Sequence, residues 1–267
     1  MRKVYKWKLD KDFSFSTKIF DKIGPNTEIL FDIVIVKELG PLELEEFRQR
    51  FLELIAILRE RKIKVNYDKI RLQSIKHNAL LLGPEAVQIN ISNYCNYGCK
   101  FCLTHSKYIS LVEENSADYF MPFDNIKRII KQAYNLGAER LFITGKGEPM
   151  LHCNVVDVIL YALKHNLTVI MPTNASISKV VSKIVKLPSS AKLTFLVNLS
   201  AKDPKKFKLI CGGSADVFKN VVKNIKKLND KHTVILNYML YKDTSNDVYD
   251  FIQLAESLGV DSVRLKL

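Results

Sequence analysis

Three of the five cysteines, Cys95, Cys99 and Cys102, fall in one short run: Ser92-Asn93-Tyr94-Cys95-Asn96-Tyr97-Gly98-Cys99-Lys100-Phe101-Cys102. This CxxxCxxC spacing directly follows an apolar, strand-like segment at residues 86–91. Three closely spaced thiolates can hold three corners of an iron–sulfur cube and leave one iron free to bind something else. An open iron implies chemistry rather than electron storage alone. His105 lies three positions after Cys102, so Cys95, Cys99, Cys102 and His105 also fit a structural Cys3His zinc site, although ribbons and knuckles usually group their ligands as two separated pairs. A disulfide framework fits poorly, because the cysteine count is odd, the chain is long and no secretory signal precedes it. Cys153 and Cys211 are too separated for a second cluster site and are expected to be buried or incidental thiols.

Residues of this kind need a frame, and the sequence from residue 86 onward supplies one. Short β-branched runs alternate with amphipathic stretches at intervals of about thirty residues, the pattern of repeated βα units around a parallel sheet. Strands are predicted at 87–91, 140–144, 168–171, 193–199, 234–240 and 262–267, with helices at 123–136, 155–165, 177–185, 216–228 and 246–258. Gly137 and Gly259 stand where helix C-termini need a positive φ, and Asp216 and Asn246 can cap helix N-termini. The fold class is therefore α/β, a barrel or open sheet with its functional rim on the loops after the strand C-terminal ends. The cysteine triplet occupies the first such loop.

The first 84 residues read differently. Strands are expected at 13–20 and 29–36, separated by Gly24-Pro25-Asn26, followed by a long amphipathic helix at 42–61. This predicts a small N-terminal α+β module at 1–84, ending near Leu82-Gly83-Pro84, ahead of a core at 85–267. Trp7 is expected to serve packing.

Composition narrows the setting. At 267 residues and 47% hydrophobic content the chain can bury a sizeable core. No apolar stretch approaches the roughly 20 residues that span a bilayer, and the first twelve residues are charged without an apolar core behind them, so a cytoplasmic protein without a membrane role is expected. The net charge of +13 is concentrated between Lys179 and Lys231, which holds thirteen lysines against Asp203, Asp216 and Asp230. With few arginines and no interleaved aromatics, these lysines read as solvated helix faces, with recruitment of an acidic peptide, a nucleotide or RNA left open.

The segment Cys95-Asn96-Tyr97-Gly98-Cys99-Lys100-Phe101-Cys102 resembles the cluster motif of the radical S-adenosylmethionine (SAM) enzymes, including the aromatic residue before the third cysteine. That resemblance implies a partial (β/α)6 TIM-type barrel. It also implies a [4Fe-4S] cluster held by Cys95, Cys99 and Cys102, with SAM chelated at the fourth iron and Phe101 near its adenine. Thr144-Gly145-Lys146-Gly147-Glu148-Pro149 looks like the family's GxGEP segment, in which Gly145 and Gly147 would let the backbone approach the cofactor and Glu148 would meet the amine of SAM. Pro172-Thr173-Asn174-Ala175 resembles the family's Thr-Asn-Gly, with Ala175 in place of glycine. Val197-Asn198-Leu199-Ser200 and the stretch Asp203-Pro204 to Ile210-Cys211-Gly212-Gly213 are similar to the SPASM-type, peptide-modifying branch. There Asn198 and Ser200 would be secondary cofactor contacts. The resemblance covers residues 86–267 and lacks the cysteine-rich C-terminal extension of that branch. The sequence ends at the sixth strand, which leaves the rim open to a large substrate or a partner, or marks the chain as a fragment.

The implied activity is reductive cleavage of SAM to a 5′-deoxyadenosyl radical that attacks a substrate C–H bond, with no further catalytic residue assigned. A peptide or protein is the first substrate expected and RNA or a nucleotide the second, with an external one-electron reductant such as flavodoxin or ferredoxin as partner. A cluster- or zinc-binding protein without turnover is the contrasting reading. His152, His165 and His232 read as surface or helix-end residues.

Overall fold

A computed structural model of the protein describes residues 2–9, 28–35, 41–61, 63–76, 80–108 and 119–267. The backbone divides into two compact units, one comprising Met1–Glu85 with Lys131–Glu139, the other Ala86–Ile130 with Arg140–Leu267.

The first unit contains strands β1 (Arg2–Leu9) and β2 (Glu28–Ile35), helix α1 (Pro41–Glu60), the short strand β3 (Lys64–Val65) and helix α2 (Tyr67–Lys76). All three strands pair in parallel, in the order β1-β2-β3. The sequence reading gave β2 and α1 within a residue but missed β1, β3 and α2, and its strand at 13–20 lies outside the described residues. Phe51, Leu54, Ile55 and Leu58 recur at helical spacing along α1 and are wholly buried, the apolar stripe a packed helix needs. Arg59, near the end of α1, donates to the carbonyls of Tyr134 and Ala138 at 2.6 Å each. Its guanidinium also lies 5.0 and 4.7 Å from the ring centroids of Tyr67 and Tyr134.

The second unit is built on strand β4 (Ala86–Asn90). There follow helix α3 (Phe123–Asn135), β5 (Arg140–Thr144), α4 (Val155–Lys164), β6 (Thr168–Thr173), α5 (Ser178–Ile184), β7 (Leu193–Asn198), α6 (Pro204–Cys211), α7 (Ala215–Asn229), β8 (Thr233–Met239), α8 (Val248–Leu258) and β9 (Ser262–Lys266). The six strands β4 to β9 lie in sequential order, every neighbouring pair parallel, as in a partial TIM-type barrel. Alternate residues of β6 (Val169, Met171) and of β7 (Leu193, Phe195, Val197) are wholly buried, and so are Ile126 and Ile130 of α3. All six predicted strands are present, within one or two residues at each end.

The details differ where local signals compete. α7 is capped not by Asp216 but by Ser214, whose hydroxyl accepts from the Val217 N–H. Asn246 caps nothing; it falls within a 3-10 turn, Ser245–Asp247, that leads into α8. α6 was not predicted, although Asp203 caps it by accepting from the Lys206 N–H at 2.7 Å and Pro204 opens it, an arrangement that needs no N–H from the first residue. Gly137 and Gly259 have φ of +89° and +66°, as their helix-end positions require.

Candidate functional site

The loops that follow β4, β5 and β6 and the end of β7 surround one cleft of about 320 Å³. Cys95, Cys99 and Cys102 line it together with Phe101, Gly145, Gly147, Glu148 and Asn198. Residues far apart in sequence meet there because every parallel strand delivers its C-terminal end to the same rim.

The cysteine loop is held from several sides. Asn96 donates to the Ser176 hydroxyl at 2.9 Å and accepts from the Asn174 amide at 2.9 Å, which ties it to the loop after β6. The Lys100 N–H donates to the Ile210 carbonyl at 2.9 Å, and its ammonium pairs with Asp243 at 3.2 Å. The Thr104 hydroxyl donates to the Lys146 carbonyl at 2.9 Å and lies 3.2 Å from the Cys102 sulfur, which also accepts from the His105 N–H at 3.3 Å. Phe101 packs edge-on against Tyr241, with ring centroids 6.2 Å apart.

Gly145 and Gly147 have a purpose the sequence did not reveal. A Cβ on Gly147 would stand 1.9 Å from the Tyr94 carbonyl oxygen, and one on Gly145 would stand 2.3 Å from that of Ser92. Only glycines let the loop after β5 lie directly on the loop after β4. The Gly147 and Glu148 N–H groups donate to the Ser92 and Tyr94 carbonyls at 3.1 and 2.8 Å.

Glu148 is buried, with 3% of its surface exposed. One carboxylate oxygen accepts from the Thr173 hydroxyl at 2.5 Å and the Met150 N–H at 2.9 Å, and the other from the Asn174 N–H at 2.7 Å. Burial raises its pKa, and these three donors act in the opposite direction. The carboxylate thus fastens the loop after β5 to the end of β6. Asn198 lines the cleft and accepts from the Asn237 amide at 3.0 Å. Ser200 does not line it. This residue is wholly buried, and its hydroxyl accepts from the Met239 N–H at 3.1 Å, an anchor for β8.

Burial pushes the Cys95 thiol up to about 12. The Cys99 pKa is raised first by a hydrogen bond with the Cys211 thiol, then by burial. Cys211, expected to be a buried or incidental thiol, is buried, and it neighbours a cluster-motif cysteine; nothing in its spacing signals that nearness, because α6 carries it there. Cys153 is exposed. His152 and His232 stand at helix ends but are buried, with a ring nitrogen placed to donate to the Met121 carbonyl at 2.8 Å and the Ile184 carbonyl at 3.2 Å, whereas His165 caps α4.

The donor set fits an iron–sulfur cluster. Three thiols line one cleft, each from a different point of a loop braced by its neighbours, and among the described residues no three His, Cys, Asp or Glu side chains converge on a single ion. A Cys3His zinc site is therefore not preformed, although His105 also borders the cleft. Protonated thiols must lose their protons to bind iron, so loading is coupled to proton release.

Residues 89–255 match the radical SAM superfamily. A probable GTP 3′,8-cyclase of Saccharolobus islandicus is 29% identical over 185 residues, covering 68% of this chain and 56% of that protein. The radical SAM cyclopropyl synthase TigE of Paramaledivibacter caminithermalis is 27% identical over 188 residues, covering 63% and 39%. The chain thus spans about half the length of the cyclases it matches. In fold it is similar to Streptococcus suis SuiB bound to S-adenosylmethionine, with a TM-score of 0.59, 20% identity and coverage of 83% of this chain and 52% of SuiB. A match over most of the barrel, with the cysteine motif inside it, places the chain in the radical SAM superfamily of enzymes, whose cofactors are a [4Fe-4S] cluster and SAM.

Proposed function

We propose that Cys95, Cys99 and Cys102 hold the cluster and that the cleft they line seats SAM against it. The convergence of these cysteines with Gly145, Gly147, Glu148 and Asn198 around one cleft carries this reading. When bound, the cluster and SAM would supply a reductively generated radical able to abstract hydrogen from a substrate C–H bond. The chain's own part is to hold and orient. Phe101 supplies an apolar wall supported by Tyr241, Asn198 presents an amide at the end of β7, and Glu148 fixes the loops that shape the cleft. Walls of this kind keep water from a reactive intermediate.

The electron comes from an external one-electron donor of the flavodoxin or ferredoxin type, in keeping with a cytoplasmic setting. Among the described residues no helix is long and apolar enough to cross a membrane. Residues 1–84 act as a module apart from the core at 85–267, a reading supported by the division into compact units.

For the substrate, likeness in fold to SuiB, a structure of which holds the precursor peptide SuiA, supports a peptide. One specific feature favours the nucleotide reading instead: a lysine-lined recess beside the cysteine loop, with no carboxylate among the described residues of its lining. The test of the central reading is metal analysis after anaerobic reconstitution. We expect about four irons and four sulfides per chain, falling to background in Cys99→Ala. One zinc per chain without sulfide would overturn it.

A further inference from the structure

A second recess, of about 650 Å³, adjoins the cysteine loop. Lys100, Lys107 and Lys208 line it, together with the backbone of Gly212, Gly213 and Ser214. No Asp or Glu does. The contrast with the neighbouring groove is informative. There, Lys202 pairs with Asp247 at 2.9 Å and Asp250 at 2.6 Å, and Lys206 with Asp247 at 2.6 Å, so the positive charge is answered. In the recess only Lys100 has a carboxylate partner, Asp243 at 3.2 Å. Lys107 and Lys208 are exposed and have none among the described residues. Lys208 from the lysine-rich third and Lys107 from the cysteine loop thus bring two cations without a described carboxylate partner to this recess.

The backbone adds to it. α7, fifteen residues long, begins at this recess; the Ser214 hydroxyl accepts from the Val217 N–H, and the Ala215 and Asp216 N–H groups lack partners within the helix. Gly213 is required there because a Cβ would stand 2.3 Å from the Phe207 ring, so it lies buried against that ring between the exposed Gly212 and Ser214. α6 ends in the same loop, but its Lys208 and Ile210 carbonyls already accept from the Gly212 and Lys100 N–H groups. Asp216, in the first turn of α7, is not part of the lining and stands 3.9 Å from Lys219. Ammonium groups beside a helix N-terminus are the chemistry that holds a phosphate.

Tyr97 borders both this recess and the cleft, and Cys211, which also borders the recess, hydrogen-bonds Cys99. We propose that the recess binds the phosphate chain of a nucleoside polyphosphate and so anchors the substrate beside the cleft. The anchoring role rests on the radical reading above; the binding itself does not.

The test is calorimetric titration of the anaerobically reconstituted full chain with inorganic tripolyphosphate, GTP and guanosine, without SAM or reductant. Tripolyphosphate and GTP should bind and guanosine should not. The double variant Lys107→Glu/Lys208→Glu should lose roughly tenfold or more in affinity for both, while Lys179→Glu, an exposed change on α5 outside the recess, should shift it less than about twofold. An equal loss in Lys179→Glu would show only diffuse attraction and overturn the proposal. So would unchanged affinity in the double variant, guanosine binding as tightly as GTP, or a polyglutamate peptide displacing tripolyphosphate at lower concentration, which would point to an acidic peptide. Because no radical forms in this experiment, its failure leaves the radical reading intact, and failure of SAM cleavage leaves the anion pocket intact.

Discussion

Glu148 illustrates what a single residue can and cannot disclose. Its place in Gly145-Lys146-Gly147-Glu148-Pro149 marked it for a cofactor, but two of its three partners, Thr173 and Asn174, come from the end of β6 and the residue after it, which only the fold brings near. Glu148→Gln replaces one accepting oxygen with a donor. Whichever way the amide turns, at least one of the three donors loses its acceptor, at a cost of about 1–3 kcal/mol. Thermal unfolding of the variant should occur several degrees lower than in the unsubstituted chain. An unchanged midpoint would mean that the carboxylate is not a brace. Ala175 shows the reverse case. The substitution for the family's glycine was legible, yet the residue keeps a φ of +53°, so the backbone shape glycine favours persists with a side chain on it. The pairing of Cys211 with Cys99 was illegible, because a helix the sequence reading omitted carries it.

At the scale of elements, the barrel strands were readable because short apolar runs buried on both faces recur at a regular interval. The misses have a common cause in local ambiguity. β1, Arg-Lys-Val-Tyr-Lys-Trp-Lys-Leu, mixes cations into a strand pattern and read simply as a charged N-terminus, and its parallel partner β2 lies beyond a long connection. α6 is short enough to pass for a loop. What positions the site is contact between loops, and Gly147→Ala tests it. Its Cβ would meet the backbone of Tyr94, so the cysteine loop should move, with destabilisation at or above the roughly 1–3 kcal/mol of overpacking and a parallel fall in iron content. Full iron loading at unchanged stability would refute the packing role. In the first unit, Arg59→Ala removes two hydrogen bonds from a charged donor to the Tyr134 and Ala138 carbonyls, each worth about 1.5–3 kcal/mol. Denaturant unfolding should shift to lower midpoint, and an unchanged midpoint would show that Arg59 does not tie α1 to this segment.

The whole molecule unites a parallel barrel, a cluster motif on its rim and a strongly basic charge. The charge looked like solvated helix faces in the sequence. In three dimensions Lys202 and Lys206 are neutralised by Asp247 and Asp250, whereas Lys208 joins Lys107 in a recess with no carboxylate among its described residues, a distinction that residue order cannot express. Family and cofactors were legible because the thiol spacing and the loop after β5 are local in sequence; substrate choice was not, because its residues are dispersed over several loops. The central claim is radical generation at the cysteine cleft. It is tested most directly by incubating the anaerobically reconstituted chain with SAM and dithionite and measuring 5′-deoxyadenosine. The account predicts dithionite-dependent 5′-deoxyadenosine from the unsubstituted protein and none above background from Cys99→Ala. A fully loaded protein that binds SAM yet forms none, or equal formation by Cys99→Ala, would contradict it.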